Sequence, residues 1–305
     1  MDFNFNNLKV VLLGDFMLDH YIYGLSSRMS PEVDAPVIIP KKEAFLPGGA
    51  GNVAMNLMSL GAQVHCAGVV GDDEFGHQLI NIFSKNRINT DLIKIDNSYQ
   101  TIVKQRIFSN GVQIARLDRE EVLKFKNDYL SKINFKKYDL LMISDYNKGV
   151  VSKEIELKTK PNLTIVDPKK TDFGNYNYAN IITPNLFELQ KATSININDR
   201  IEINNSCFDL ISKNNFNNIL LKKGDKGMTI YGKNNFMHDI MAHKVKNPDV
   251  TGAGDTVIAT LGLVYSKTKD ILYASEVANL AASIVVNKEG TATTSVREIK
   301  NLLSK

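Results

Sequence analysis

Short apolar runs that are each followed by an acidic residue recur along the chain and constrain its fold more than any other feature. Three of them are residues 9–13 with Asp15 after them, residues 138–144 with Asp145, and residues 163–166 with Asp167. Continuous apolar strands are typical of parallel sheets that are buried on both faces. Because helical patterns separate many of these runs, we predict an α/β fold with a mostly parallel sheet and helices on both faces.

Asp15 and Asp19 follow the first of these runs. Ligands of open α/β sheets bind beyond the carboxyl ends of the strands, so both carboxylates are candidate ligands for sugar hydroxyls, with a simple turn aspartate as the alternative. Further along, Gly48 and Gly49 precede a helical apolar run that begins near Asn52. Glycines allow close approach of the backbone to a ligand, and the amide of Asn52 offers both a donor and an acceptor to a pair of hydroxyls.

The most specific motif is Asp-Val-Thr-Gly-Ala-Gly-Asp-Thr at residues 249–256, which leads into an apolar run. We predict that a buried helix begins here, with free N–H groups and the positive end of its dipole directed at an anion. Asp255 lies in the same turn, where it could take a proton from a hydroxyl while a phosphoryl group is transferred. The alternative is that Asp255 only caps its own helix.

Residues 184–188, Pro-Asn-Leu-Phe-Glu, follow a short predicted strand and begin another helix. Pro184 is typical of a helix entrance, and Asn185 and Glu188 lie three residues apart on one face. An amide and a carboxylate beyond the end of a strand can orient a hydrated Mg²⁺ ion and its phosphates. The motif therefore predicts a metal and phosphate site, with Glu188 as the metal-binding residue.

A small β flap outside the main sheet is predicted at residues 21–41, where apolar and polar residues alternate around turn residues. Residues 101–117 predict a hairpin, because two β-type runs flank Asn110-Gly111, and Arg106 lies on it. Arg28, at the tip of the flap, is either a solvated charge or a contact that reaches over a ligand. Two short strands with apolar faces are unstable alone in water, so we expect the flap to pair with a second subunit.

Composition argues against several classes of protein. The formal charge of +4 on 305 residues is mild and the lysines are scattered, which argues against a nucleic-acid binder. The N-terminus lacks the features of a signal peptide and no apolar run reaches 18 residues, so we expect a cytoplasmic protein without a membrane partner. Cys66 and Cys207 lack metal-ligand spacing and are expected to be buried free thiols. Neither a dinucleotide-binding glycine motif nor a P-loop motif is present.

In this order and spacing, the glycine pair at 48–49, the Asn-x-x-Glu at 185–188 and the Thr-Gly-Ala-Gly-Asp at 251–255 resemble the ribokinase-like (PfkB) carbohydrate kinases. Within that family, six stretches are similar to the D-glycero-D-manno-heptose-7-phosphate kinases of ADP-heptose synthesis. They are GDFMLDHYIYGLSSRMSPE, PGGAGNVAMNL, ISDYNKGV, VDPKKTDF, IITPNLFE and NKEGTATTS. The resemblance covers nearly the whole chain. It implies one ribokinase-like domain over residues 1–305, a three-layer α/β/α fold, and a β lid at about 21–41, with residues 101–117 as a candidate further part of that lid.

The resemblance also implies a reaction and a set of site residues. The reaction is the ATP- and Mg²⁺-dependent transfer of a phosphoryl group to the anomeric oxygen of D-glycero-D-manno-heptose 7-phosphate, for lipopolysaccharide core synthesis, by a homodimer. Asp255 would be the base, and the anion site would be Gly252, Ala253 and Gly254. The nucleotide site would comprise Asn185, Leu186, Phe187, Glu188, Lys223, Gly224, Thr251 and Asn279. The sugar phosphate site would comprise Asp15, Asp19, Arg28, Gly48, Gly49, Asn52, Arg106, Asp145 and Lys148.

Three departures from the family pattern and two rival functions accompany this interpretation. Val33-Asp34 replaces residues of a proline-rich flap, and Leu220 to Lys223 ends in lysines where relatives more often carry Thr or Ser. Many relatives carry an adenylyltransferase domain after the kinase, and this chain has no HxGH-type motif, so we expect a stand-alone or excised kinase. One rival is a sugar kinase of the same fold for ribose, fructose or a hexose phosphate. The other is a non-catalytic nucleotide- or sugar-binding regulator.

Overall fold

The computed structural model of the protein describes residues 3–120, 122, 130–151, 159 and 161–304. Its strands are β1 Lys9–Gly14, β2 Phe16–Leu25, β3 Ile39–Gly49, β4 Gln63–Gly71, β5 Asn89–Asp96, β6 Ile102–Ser109, β7 Val112–Arg119, β8 Leu140–Ser144, β9 Thr164–Asp167, β10 Ile181–Ile182, β11 Asn218–Lys222, β12 Met228–Gly232 and β13 Met237–Ile240. Its α-helices are α1 Ala50–Ser59, α2 Glu74–Lys85, α3 Leu186–Thr193, α4 Arg200–Asn214, α5 Ala253–Thr268, α6 Ile271–Val285 and α7 Val296–Leu303. None of these helices combines the length and the apolar character needed to span a bilayer.

Nine strands form the main sheet, in the order β13-β12-β11-β10-β9-β8-β1-β4-β5. All neighbours from β5 to β11 are parallel, whereas β12 and β13 are antiparallel at one edge. The predicted mostly parallel α/β sheet is therefore confirmed. The edge is antiparallel because residues 223–227, which join β11 to β12, are too few for the crossover that parallel strands need.

Alternate residues of the central strands face two separate apolar clusters, which gives the fold its three layers. In β1, Val10 and Leu12 pack in one cluster with α1, α5 and α6. Val11 and Leu13 pack in the other cluster, with residues of α3 and α4. Successive side chains of a strand point to opposite faces, so one continuous apolar run supplies both clusters. Cys66 and Cys207, in different clusters, are buried free thiols as predicted.

A second sheet, with the order β3-β2-β6-β7, forms the flap. The central pair β2 and β6 is parallel, and each outer strand is antiparallel to its neighbour. The range predicted for the flap, residues 21–41, covers only its outer half and its tip, where one bridge joins Met29 to Pro36. The inner half of the flap begins at Phe16 and Leu18, which are buried in the main apolar cluster. Because these residues are as apolar as core strands, their sequence does not reveal that they belong to the flap.

Helix α1 is joined to α5 by a buried polar contact. Asn56 is completely buried, and its Nδ2 donates a hydrogen bond to the main-chain oxygen of Asn52 at 2.9 Å. The hydroxyl of Thr256 on α5 donates to Oδ1 of Asn56 at 2.8 Å. A buried donor or acceptor that loses its partner costs more free energy than the hydrogen bond itself contributes. The contact therefore holds the beginnings of the two helices in one relative position.

Replacing Asn56 by Ala is expected to lower the free energy of unfolding by about 1–3 kcal/mol, because it removes the buried amide that joins α1 to α5 and leaves the Thr256 hydroxyl only the longer 3.3 Å contact with the main-chain oxygen of Gly252. The matched control is Thr260→Val, one turn further along α5. The buried hydroxyl of Thr260 has no hydrogen-bond partner among the described residues, so its removal should cost nothing or stabilise the protein. Urea unfolding followed by far-ultraviolet circular dichroism checks both variants, and equal losses of stability in the two would contradict the role given to Asn56.

Candidate active site

At the N-terminus of α5, which lies at the carboxyl edge of the main sheet, the backbone N–H groups of Gly254 and Asp255 have no hydrogen-bond partner among the described residues, whereas that of Ala253 donates to the main-chain oxygen of Val250 at 3.2 Å. Its N-cap residue is Gly252, which has φ of +75° and no side-chain cap. A Cβ atom at Gly252 would lie 2.4 Å from Nδ2 of Asn52, which is closer than any real contact. Both the left-handed backbone and the proximity of α1 therefore require glycine at this position. With Ala253 and Gly254, this residue makes up the helix start at which the sequence predicts an anion site.

Asp255 is buried in the first turn of α5 and contacts other elements of the fold. Its Oδ2 accepts a hydrogen bond from Nδ2 of Asn52 at 2.7 Å, and its Oδ1 accepts from the hydroxyl of Tyr146 at 3.1 Å. Burial raises the pKa of Asp255 to about 6 and the charge of Asp167 adds to this, against the opposing effects of Asn52, Lys222 and Tyr146. A buried carboxylate with a raised pKa is typical of a general base.

A cavity of about 1030 Å³ opens beside this turn. Its polar end is lined by Tyr146, Asp167, Lys169, Asn185, Lys222 and residues 252–255. The rest of its lining, its apolar end, is mostly apolar and includes Met228, Val245, Val250, Val257, Ala282 and Val286, with the polar or charged Asp225, His243, Lys244, Lys246, Asn279 and Ser283 among them. An apolar slot that leads to a charged end beside a helix N-terminus suits a nucleotide, because the base is flat and apolar and the phosphates are anionic.

Two lysines at the polar end form ion pairs with carboxylates. Lys222 pairs with Asp167, which also accepts a hydrogen bond from the hydroxyl of Thr183 at 2.7 Å. Lys169 pairs with Glu188. Burial lowers the pKa of Lys169, but the charges of Asp167 and Glu188 outweigh burial and raise that pKa above its ordinary value. Lys169 is therefore held as a cation, and both lysines face the space where phosphates would bind.

Asn185 and Glu188 form a capping box at the start of α3. Oδ1 of Asn185 accepts from the backbone N–H of Glu188 at 2.9 Å, and Oε2 of Glu188 accepts from the N–H of Asn185 at 2.7 Å. Since Oε1 of Glu188 contacts Lys169, both of its oxygens have partners. Asn185 lines the cavity, whereas the neighbouring Leu186 does not, and Phe187 is 66% exposed.

The remaining predicted nucleotide residues are divided between the cavity and its surroundings. Gly224 and Asn279 line the cavity, and Nδ2 of Asn279 donates to the main-chain oxygen of Met241 at 2.7 Å. Lys223 does not line it, because its Nζ contacts Oδ1 of Asp239 at 3.0 Å. The side chain of Thr251 is exposed just before the anion site.

Asp15 and Asp145, both predicted to contact the sugar, are buried and already hydrogen-bonded. The carboxylate of Asp15 accepts from the backbone N–H groups of Tyr146, Lys148 and Val150 at 2.8–3.1 Å. Burial raises its pKa to about 6, and the charge of Asp145 adds to this. Asp145 accepts from the hydroxyl of Tyr176 at 2.7 Å. The two carboxylates thereby hold the loop that carries Tyr146 to the base.

The inner flap brings together the other predicted sugar residues. Oδ1 of Asp19 accepts from Nη1 of Arg106 at 2.6 Å, and the guanidinium of Arg106 lies 5.2 Å from the ring centre of Tyr21. A Cβ at Gly48 would lie 2.6 Å from Oδ2 of Asp19, so this carboxylate packs directly on the glycine backbone. Gly49 has φ of +55° at the N-cap of α1, the helix that carries Asn52.

The two remaining phosphate candidates lie apart from this cluster. Arg28 is exposed at the tip of the flap, and Nζ of Lys148 pairs with Glu120 at 2.9 Å.

Sequence reasoning missed four residues of the polar end: Tyr146, Asp167, Lys169 and Lys222. Asp167 had a usable signal, because it follows a buried strand in the same way as Asp15 and Asp145. Tyr146 and Lys169 lie one and two positions past such acids. No sequence pattern singled out Lys222, because either Lys222 or Lys223 could have faced the cavity.

The comparisons with known proteins agree with this geometry. Residues 7–298 match the model of the pfkB family carbohydrate kinases. The bifunctional protein HldE of Campylobacter curvus is 36% identical over 306 residues, covering 97% of this chain and 65% of that protein. HldE of Histophilus somni is 38% identical over 309 residues, covering 98% of this chain and 64% of that protein. The chain thus spans slightly less than two thirds of the length of these relatives.

Solved structures share the fold. The phosphofructokinase-2 of Escherichia coli in complex with potassium has a TM-score of 0.77 at 15% identity, with 98% of this chain and 99% of that chain covered. The ribokinase of Arabidopsis thaliana complexed with ribose and ATP has a TM-score of 0.74 at 17% identity, with the same coverage. Together with the anion site and the buried Asp255, the family match leads to one conclusion: the chain belongs to the pfkB family of carbohydrate kinases.

Proposed function

We propose that this protein is an ATP-dependent kinase that phosphorylates the anomeric oxygen of D-glycero-D-manno-heptose 7-phosphate, giving the 1,7-bisphosphate for ADP-heptose and lipopolysaccharide core synthesis. The observation that carries the kinase reaction is the buried carboxylate of Asp255 beside the anion site, at the polar end of a cavity that suits a nucleotide. The choice of sugar is supported by 36–38% identity to the HldE proteins over 97–98% of the chain.

In this proposal the nucleotide occupies the cavity with its base at the apolar end and its phosphates at the polar end. The apolar residues of that end, from β12, α5 and α6, would cover the base. The N-terminus of α5 would then meet the γ-phosphate, where its free N–H groups and dipole stabilise the charge that develops during transfer. Lys169 would balance charge on the phosphates.

The chemical step needs one proton acceptor. The carboxylate of Asp255 takes the proton of the anomeric hydroxyl as that oxygen bonds to the γ-phosphorus. The bond from this phosphorus to the β-phosphate oxygen breaks, and ADP leaves. Tyr146 and Asn52 donate hydrogen bonds to the carboxylate and so hold it in its ionised form. The pKa of Tyr146 is raised well above its ordinary value by burial and by the charge of Asp255, so its hydroxyl remains a donor.

Mg²⁺ fits this site as a hydrated ion that arrives with the nucleotide. Among the described residues no group of three acidic, histidine or cysteine side chains could hold a metal by itself. Both oxygens of Glu188 already have partners, so Glu188 and Asp167 would hold the ion through its water ligands. This matches the preference of Mg²⁺ for several waters, one or two carboxylates and substrate phosphates. The ion would neutralise charge on the transferred phosphoryl group.

The sugar would lie between Asp255 and the inner flap. Asp19 would accept a hydrogen bond from one of its hydroxyls and Asn52 would donate to another, over the backbone of Gly48 and Gly49. This is supported by the packing of Asp19 on Gly48 and by the contact of Asn52 with Asp255. Arg106 would bind the 7-phosphate, aided by Arg28 when the flap closes and by Lys148. Closure of the flap would exclude water, which otherwise competes with the sugar for the phosphoryl group.

We propose further that the flap joins two copies of this chain into a homodimer. Its solvent-facing apolar side chains are Tyr23, Leu25, Ile39, Leu46, Val112, Ile114 and Leu117. By the strand register, Tyr23, Leu25, Ile39 and Leu46 lie on one face of the sheet and form an apolar surface, whereas Val112 and Leu117 lie on the other face. A second flap has the same surface, so twofold pairing would bury both.

Asp255→Asn is expected to lower kcat on the order of 10²-fold to 10⁴-fold, because an amide keeps the shape of the carboxyl group but cannot accept the proton. ADP release is measured with heptose 7-phosphate, fructose 6-phosphate and ribose as separate acceptors. Wild-type turnover should be fastest with the heptose, and turnover with the heptose should fall by that factor in the variant. More than a tenth of wild-type kcat in the variant would exclude the base role, and a preference for another acceptor would overturn the proposed substrate.

The pH dependence of kcat should reveal the titration of Asp255. Since only the ionised carboxylate accepts a proton, kcat should fall as the pH falls through about 6. Tyr146→Phe removes a hydrogen bond that lowers the pKa of Asp255. The decrease of kcat on the acidic side of the pH profile, its acidic limb, should therefore move to higher pH. Nucleotide phosphates titrate in the same pH range. The quantity compared is therefore the pH at which kcat falls to half of its maximum, in the variant and in the wild type. Tyr265→Phe, on the last turns of the same helix, is the control and should leave the limb in place. An unmoved limb in Tyr146→Phe would contradict the assignment.

Ile39→Glu is expected to convert the dimer to a monomer, because it places a charge in the proposed apolar interface. The matched control is Ile95→Glu on β5, since Ile39 and Ile95 are both 46% exposed on strands. Light scattering at the concentration of the activity assay distinguishes the two states. A monomeric wild-type protein would refute the dimer, and dissociation by both variants would refute its location on the flap.

A further inference from the structure

Lys222 is the last residue of β11, and its side chain enters the polar end of the cavity. A Cβ atom at Gly254 would lie 3.3 Å from Nζ of Lys222, so the ammonium group is against the backbone of the anion site. Its partner is the carboxylate of Asp167 at the end of β9. The ammonium group therefore lies between the carboxyl end of the sheet and the N-terminus of α5, where the charge of a transferred phosphoryl group develops in the proposed reaction.

The position of Lys222 follows from the strand that carries it. Lys222 ends the strand and Lys223 begins the turn that follows it, and their side chains diverge. Lys223 pairs with Asp239 at 3.0 Å and does not line the cavity. Lys222 lines it, and only 14% of its side chain is exposed. A lysine that is held this far from water needs an anionic partner.

The charged side chains at the polar end of the cavity would allow Lys222 to exchange Asp167 for a nucleotide phosphate. Asp167 and Glu188 each pair with one lysine, while Asp255 is held by the neutral donors Asn52 and Tyr146. A nucleotide phosphate that reaches Gly254 brings a further anion next to Lys222. Asp167 keeps the hydrogen bond from the hydroxyl of Thr183 when the ammonium turns from it. After the exchange Asp167 therefore keeps one hydrogen-bond donor.

We propose that Lys222 is a further catalytic residue of this kinase: it binds the γ-phosphate of ATP and stays on that phosphoryl group during transfer. This inference rests on the proposed kinase function. Lys222 remains an ammonium throughout, so it neither gives nor takes a proton, and Asp255 alone accepts the proton of the acceptor hydroxyl. The ammonium adds one positive charge to the free N–H groups of α5. It distinguishes ATP from ADP, because ADP has no phosphoryl group at this position.

The test compares the binding of a non-hydrolysable ATP analogue, AMP-PNP, with the binding of ADP by calorimetry, in the absence of sugar. Lys222→Met removes the charge and keeps most of the side-chain length. Its affinity for AMP-PNP should fall about tenfold or more, and its affinity for ADP should change less than about twofold. Lys222→Arg keeps the charge and should recover most of the AMP-PNP affinity. The control is Lys233→Met, since Lys233 is exposed on the turn after β12 and contacts only Asn215 at 3.3 Å among the described residues.

Two outcomes would overturn the assignment. Equal losses for AMP-PNP and ADP would mean that Lys222 acts on the shared part of the nucleotide or on the fold, and no loss for either would mean that it does not bind phosphate. Thermal melting identifies a variant that fails to fold, and Lys222→Thr then replaces the methionine variant in the same comparison. Because no sugar is present, failure of the heptose substrate in the acceptor panel leaves this test intact.

Discussion

The buried carboxylate of Asp255 is the constraint on which the arrangement of the site depends. It is held by an amide from α1 and a phenol from the loop after β8, so three distant parts of the chain meet at one side chain. Each part needs its own support. Gly252 provides the backbone conformation and the space for Asn52, Asn56 joins α1 to α5, and Asp15 binds the loop that carries Tyr146.

These supports exist because a buried carboxylate is costly. Removal of Asp255 from water favours its neutral form, and the charge of Asp167 favours it further. Hydrogen bonds from Asn52 and Tyr146 favour the ionised form without introducing a second full charge. Their neutral character keeps the pKa near the physiological range, where a group can both accept and return a proton. A lysine paired directly with Asp255 would instead have stabilised the carboxylate and weakened it as a base.

The same physics assigns the lysines and acids around the cavity to different tasks. Asp167 and Glu188 hold Lys222 and Lys169 in place, so both cations are oriented before a nucleotide arrives. Groups that are oriented in advance lose little entropy when they bind. Asp19 does the same for Arg106 on the flap. Among the described acidic residues of the site, Asp167, Glu188 and Asp19 thus position cations and Asp15 positions a loop, whereas Asp255 accepts hydrogen bonds from neutral donors.

The sequence by itself determined the α/β class, the parallel strands, the helix that begins at the Thr-Gly-Ala-Gly-Asp motif, and the family. These features follow from local patterns, because apolar runs, turn residues and glycine spacing predict structure from segments of about ten residues. Tertiary structure alone decided which of Lys222 and Lys223 enters the cavity, that Asp15 holds a loop, and that Phe16 begins the flap. Each of these depends on contacts between residues far apart in the chain, such as Asn52 and Asp255, which are 203 positions apart. No local pattern records which distant backbone or side chain will lie beside a residue once the layers have packed.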